Sequence, residues 1–202
     1  MILDAGGDWS GKADKDEILV FGFAGCEDAE TWSKQCATIR HRLGMPQNAE
    51  FHARDMSEPE IQAYLQAARD AEIVMGAVIL RKPQHPGAES PGDFTCAFAA
   101  QEFFRTFLLR YNIKRFWYDT EIEGRAAEQA FETELSRINR ALRPDTSFKA
   151  RCRRSDKSDL VQIADSVAYV LRRYSLGTLK SAPLRKLVGE ILEDESNVIL
   201  TR

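Results

Sequence analysis

The chain has 202 residues, enough for one domain that buries about 70% of the surface its unfolded form would expose, so it needs no disulfide or zinc to hold it together. Its net charge is −3 with 29% charged residues, a balance that neither demands nor excludes a nucleic-acid partner. Cys26, Cys36, Cys96 and Cys152 lack zinc-knuckle spacing, the first residues lack a signal-peptide pattern, and no apolar run is long enough to span a membrane. The expectation is therefore a cytoplasmic protein with free thiols and no membrane partner.

Ile2 to Asp4 reads as a short strand that breaks at Gly6 and Gly7, with Asp4 at its end. Ile18 to Phe23 is β-branched and aromatic, and the polar segment between the two predicts an antiparallel hairpin. Asp28 to Leu43 reads as a helix capped by Asp28 and closed by Gly44. Glu50 to Ala53 reads as a short strand carrying His52. Ser57-Glu-Pro-Glu60 opens a helix that runs to about Ala71, with a capping serine, an early proline and a glutamate at the third helical position. Ile73 to Leu80 is nearly all apolar, as a strand buried on both faces must be.

Arg81 to Asp93, rich in proline and glycine, reads as a loop, and Phe94 to Tyr111 as an apolar helix. Lys114 to Asp119 predicts a strand ending in Asp119-Thr-Glu121. Arg125 to Leu142 predicts a helix stopped by Pro144, and Phe148 to Arg153 a strand. Ser158 to Arg173 predicts an amphipathic helix: Leu160, Val161, Ala164, Val167, Ala168 and Leu171 recur at helical spacing, with Gln162 and Asp165 beside that stripe. A short helix, Pro183 to Glu193, and a strand, Val198 to Leu200, complete the chain. The expected architecture is an α/β mixed sheet, an antiparallel hairpin followed by parallel strands, with helices on both faces. Residues 1–174 are expected to form the domain, with 175–202 an extension packed on it.

In such a sheet ligands gather at the carboxyl ends of the parallel strands. Asp4, Asp119 and Asp165 come from three distant segments and could converge there. Converging carboxylates repel, and hard divalent ions such as Mg²⁺ or Mn²⁺ relieve that repulsion. Each acid also has a local alternative: a turn for Asp4, a cap for Asp119, a structural pairing for Asp165.

These segments resemble the "domain of unknown function 3800" family. Leu3-Asp-Ala-Gly-Gly-Asp8 is similar to that family's opening Asp-Glu-Ser-Gly-Asp. Phe51-His52-Ala53 resembles its histidine-bearing segment, Asp119-Thr-Glu121 its central acidic strand end, and Val161-Gln-Ile-Ala-Asp165-Ser-Val-Ala its Leu-Gln-Leu-Ala-Asp helix. The resemblance implies a ribonuclease H-like fold and metal-dependent hydrolysis of nucleic acid by Asp4, Asp119 and Asp165 with Mg²⁺ or Mn²⁺. Ala5 and Gly6 stand where the family has Glu-Ser, which keeps a non-catalytic interaction module in view.

His52 is a general base, a ligand or a structural histidine. Lys149-Ala-Arg-Cys-Arg-Arg154 with Lys157 is a basic run in an acidic chain. Arg151, Arg153, Arg154 and Lys157, with Gln162, are candidate contacts for DNA or RNA phosphates, or else a solvated edge strand. Trp9, Trp32, Trp117 and Tyr118 read as core rather than base-stacking platforms.

Overall fold

The computed structural model describes residues 2–11, 16–81, 105, 107–119, 125–193 and 198–201. Strand β1 (Ile2–Ser10) pairs antiparallel with β2 (Ile18–Cys26), with Asp4 opposite Cys26 and Ser10 opposite Val20. Gly6 and Gly7 do not end β1, as their sequence suggested; they lie inside it. A Cβ on Gly6 would stand 2.5 Å from the backbone carbon of Leu160, and one on Gly7 would stand 2.4 Å from the Phe21 ring. The glycines therefore let a helix and an aromatic layer press on opposite faces of one strand. Asp4 consequently sits within β1 rather than at its end.

Helix α1 (Ala29–Arg42) starts at Asp28, whose Oδ1 accepts from the N–H groups of Glu30 and Thr31 at 3.0 Å each. It buries Trp32, Cys36, Ile39 and Arg40. Helix α2 (Glu58–Asp70) opens with the expected capping box: the Ser57 N–H donates to Glu60 Oε2 at 2.7 Å. Ser57→Ala is expected to cost about 1 kcal/mol, lowering the melting temperature by about 2–4 °C in a chain of this size; thermal melts monitored by circular dichroism measure this.

Strand β3 (Val74–Arg81) runs antiparallel to β2, β4 (Asn112–Tyr118) parallel to β1, and β5 (Lys149–Cys152) parallel to β4. Strand β6 (Val198–Thr201) runs parallel to β3, giving the sheet order β5-β4-β1-β2-β3-β6. Helix α3 (Arg125–Leu142) links β4 to β5, α4 (Asp159–Ser175) follows β5, and α5 (Ala182–Glu193) precedes β6. The segment after residue 175 thus supplies both a helix and a sheet strand. The loop expected at 81–93, apart from Arg81 at the end of β3, lies outside the described residues. So does most of the helix expected at 94–111, of which 107–110 are helical.

Two apolar clusters flank the sheet. One joins Val20, Ala24 and Ala77 to Trp32, Phe51, Tyr64 and Ile163 beneath α1, α2, α4 and α5. The other joins Leu19, Phe21, Phe23 and Phe116 to Phe107, Phe131 and Leu135.

Two expectations change here. Glu50 to Ala53 is not a strand: it is irregular backbone whose N–H groups are taken by α4 side chains. Helix α4 is not a one-sided amphipathic helix either. Its capping Ser158 accepts from Val161 N–H as expected, but ten of its residues are buried, among them Gln162 and Ser166. It lies between the sheet and the α1–α2 layer, so its polar residues must find partners inside the protein.

Candidate functional site

Asp4 lies on the α4 face of β1. Gly6, two residues on and so on the same face, touches Leu160 of α4. Asp4 is only 6% exposed. Its neighbour in the register is Arg115 of β4, whose Nε donates to Oδ1 at 2.7 Å while Nη2 donates to Oδ2. This is the two-pronged guanidinium–carboxylate pair, the strongest of the charge-assisted geometries. The hydrogen bond to Asp4 raises the Arg115 pKa, and the Arg115 guanidinium rests 5.1 Å from the Trp117 ring centroid. Burial, with Asp4 and Asp28 adding to it, pushes the Cys26 thiol up to about 12, so Cys26 stays neutral beside the site.

Asp119 follows β4 directly, and its N–H donates to the carbonyl of Gly7 at 3.1 Å. Because Arg115 lies opposite Asp4, Asp119 is four positions further along the strand direction, about 13 Å. The acid of β1 that follows Gly7 is Asp8, whose Oδ1 accepts from Trp9 N–H at 2.7 Å. Sequence reasoning passed over Asp8 as a site residue. Its position, four after Asp4 and thus on the same strand face, was the signal.

Asp165 projects from α4 toward the 49–53 segment. Its Oδ2 accepts from Ala53 N–H at 3.1 Å and stands 3.3 Å from His52 Nδ1. The His52 side chain is 47% exposed and that of Asp165 is 14% exposed. A buried carboxylate therefore orients an imidazole that reaches solvent, the arrangement of a general base. Burial raises the Asp165 pKa above its usual 3.8, with the Ala53 N–H and His52 pulling against it. A carboxyl raised in the folded state favours the protonated form. Its penalty is absent below about pH 3.8 and grows as pH rises through the raised value. Asp165→Asn is therefore expected to raise stability at pH 7 and leave it unchanged near the acid end, as read by urea unfolding at both pH values.

Gln162 faces inward. It is 2% exposed, and its Oε1 accepts from Phe51 N–H at 2.9 Å and from Arg40 Nη2 at 3.2 Å. That places it as a strut for the 49–53 segment and not on a surface open to substrate. Arg40 completes the strut. Its Nε donates to the Ala49 carbonyl at 2.7 Å, and its Nη2 donates to Asp159 Oδ1 at 2.6 Å.

The basic candidates divide. Arg154 and Lys157 pair with Asp156 at 3.3 and 3.1 Å. Arg151 and Arg153 are exposed and form no ion pair among the described residues.

Carboxylate oxygens are the donors that Mg²⁺ and Mn²⁺ take, so Asp4, Asp119 and Asp165 suit such an ion in donor chemistry. The described arrangement does not gather them. Among the described residues no group of three or more His, Cys, Asp or Glu side chains is placed to hold a metal, and Arg115 covers both oxygens of Asp4. Glu121 lies outside the described residues.

No family model and no curated protein matches the chain. Solved structures do. The chain is similar to one in the structure of the PCNA:RNase HII complex from Archaeoglobus fulgidus, with a TM-score of 0.58 and 14% identity, over 97% of this chain and 89% of that one. It is also similar to ribonuclease H2 from Pyrococcus horikoshii, with a TM-score of 0.51 and 15% identity, over 96% and 88% of the two chains. The fold is ribonuclease H-like, a mixed sheet led by an antiparallel hairpin. Among the described residues no helix is long and apolar enough to cross a membrane.

Proposed function

We propose that the chain is a nuclease that hydrolyses nucleic-acid phosphodiester bonds, as its resemblance to the domain of unknown function 3800 family suggests. One observation carries this reading. Asp4 on β1, Asp119 at the carboxyl end of the adjacent parallel strand β4, and Asp165 on α4, the helix packed against β1, are three acids on neighbouring elements of a ribonuclease H-like sheet, with about 13 Å along the strand between the first two and the third turned to His52 and Ala53. In this arrangement the three carboxylates stand too far apart to share one ion; a Mg²⁺ or Mn²⁺ ion that drew them together would supply an activated water and charge neutralisation at the phosphate.

The chain's own residues have separate tasks. Arg115 holds both oxygens of Asp4 and must turn away before Asp4 can accept another cation. Asp165 fixes the His52 imidazole through Nδ1, ready to hold a proton. Arg151 and Arg153 attract the phosphate backbone. Calorimetric titration with Mn²⁺ tests the reading. The wild type is expected to bind, and Asp4→Asn and Asp165→Asn are each expected to lose that binding. Equal binding by either variant, or none by the wild type, would sink it.

The Asp4–Arg115 pair favours a second reading, a non-catalytic interaction module on the same fold. Packing explains the departure at Ala5 and Gly6. Ala5 is fully buried in the aromatic cluster on the other face of the sheet, and Gly6 has no room for a Cβ under Leu160. The module reading predicts no Mn²⁺ binding at Asp4.

A further inference from the structure

Helix α4 covers β1 and β2 and reaches β4 only at its margin. The register sets Lys149 beside Arg115 and Arg151 beside Trp117. Their alternate neighbours Phe116 and Ala150 are buried in the aromatic cluster on the opposite face. Arg115, Trp117, Lys149 and Arg151 therefore share the α4 side of the sheet, with Trp117 at the helix's margin. Arg153, next in the alternation, is fixed by its N–H bond to the Tyr118 carbonyl at 2.9 Å, and its guanidinium carbon lies 5.6 Å from the Trp117 ring centroid. Trp117 sits at the margin of the apolar cluster beneath α4 and packs against it. It is half-buried, with Arg115 and Arg153 against its ring, and Lys149, Arg151 and Arg153 around it are exposed without an ion pair among the described residues. On the edge, Lys149 and Arg151 also line a groove of about 620 Å³ shared with Arg140 of α3.

From this juxtaposition we propose that the β4–β5 face binds single-stranded nucleic acid, with a base stacked on Trp117 and phosphates at Lys149, Arg151 and Arg153. The proposal rests on the nucleic-acid reading above and adds to it the strand form and the place of binding. Three exposed cations with no ion pair among the described residues, in a chain of net charge −3, suit a polyanion. The Arg115 and Arg153 guanidiniums lie over the indole, and an unstacked base would take the place of the exposed Arg153 on that ring, whereas a duplex keeps its bases in its own stack.

The test is fluorescence anisotropy of labelled DNA and RNA strands of about 15 nucleotides, and of their duplexes, titrated with the full chain in EDTA so that no cleavage intervenes. Single strands of either sugar are expected to bind more tightly than duplex. Trp117→Leu is expected to weaken that binding about 5- to 100-fold, and Trp117→Phe to retain most of it. The surface double variant Arg151→Gln/Arg153→Gln, which removes no buried contact, is expected to lower the slope of log affinity against log salt by about 2. Absent single-strand binding, a preference for duplex, or an unchanged double variant would overturn the proposal. Cleavage by the wild type with an unchanged KM and unchanged anisotropy for the double variant would leave the nuclease reading standing and remove the platform. Platform-dependent binding with no cleavage under Mg²⁺ or Mn²⁺ would do the reverse.

Discussion

Gly22→Val is expected to destabilise the protein by about 4 kcal/mol or more. Gly22 lies in the middle of β2 opposite Asp8, and the backbone of α4 crosses directly over it. A Cβ there would stand 2.1 Å from the Ala164 carbonyl oxygen and 2.8 Å from the Ala168 nitrogen. Both obstacles are backbone, so no side-chain rotation relieves them. The helix would have to lift from the sheet and take its buried residues with it. Overpacking of that kind costs more than about 4 kcal/mol, against a total stability of about 5–15 kcal/mol for a domain. Urea unfolding and near-ultraviolet circular dichroism measure the effect. Gly189→Ala is the control, because a Cβ in α5 meets nothing within 4 Å; it is expected to stabilise by about 0.5–1 kcal/mol. A Gly22→Val protein within about 1 kcal/mol of wild type would mean that α4 is not seated as described.

Arg40→Met should destabilise by about 3–5 kcal/mol, since it leaves the largely buried Asp159 carboxylate without its cation and takes one of two donors from the buried Gln162 Oε1. Arg40 is 7% exposed. It ties α1 to the Ala49 carbonyl, to Asp159 at the start of α4, and to Gln162, and it lies 4.6 Å from the Phe51 ring centroid. Methionine keeps most of the packing and removes every hydrogen bond. Adding Asp159→Asn should recover part of the loss, because the residual cost is the unpaired charge. The expected readout is a lowered urea midpoint for the single variant and a smaller shift for the double. The 49–53 segment carries His52, so loss of this strut is also expected to blur the His52–Asp165 pair.

The limits of the sequence follow from which signals are local. Asp28 and the Ser57–Glu60 box act within four residues of themselves, and the helices they start are where they were expected. Arg125 to Leu142 was legible for the same reason, its stop at Pro144 lying two residues beyond its end. Gly6 and Gly7 were misleading because their meaning lies in α4 and in Phe21, which sequence distance hides. Phe51 and Ala53 resembled a strand because of their composition, yet their hydrogen bonds go to residues 111 and 112 positions away. The three acids could be placed on their elements from sequence. Arg115 could not be foreseen as the partner of Asp4, because only the β1–β4 register brings the two side by side. Trp117 read as core and does pack, partly buried, against the cluster beneath α4; the Arg153 guanidinium over its ring could not be foreseen, because only the β4–β5 register brings it there.

The central claim is that Asp4, Asp119 and Asp165 serve phosphodiester hydrolysis. The most direct measurement is the cleavage rate of end-labelled single-stranded and duplex DNA and RNA with Mg²⁺ or Mn²⁺, comparing the wild type with Asp4→Asn, Asp119→Asn and Asp165→Asn. Metal-dependent cleavage that falls by about 100-fold or more in each variant is the result predicted, since every ligand of such an ion stabilises the same transition state. No cleavage of any strand by the folded wild type, or cleavage that survives all three substitutions, would contradict it.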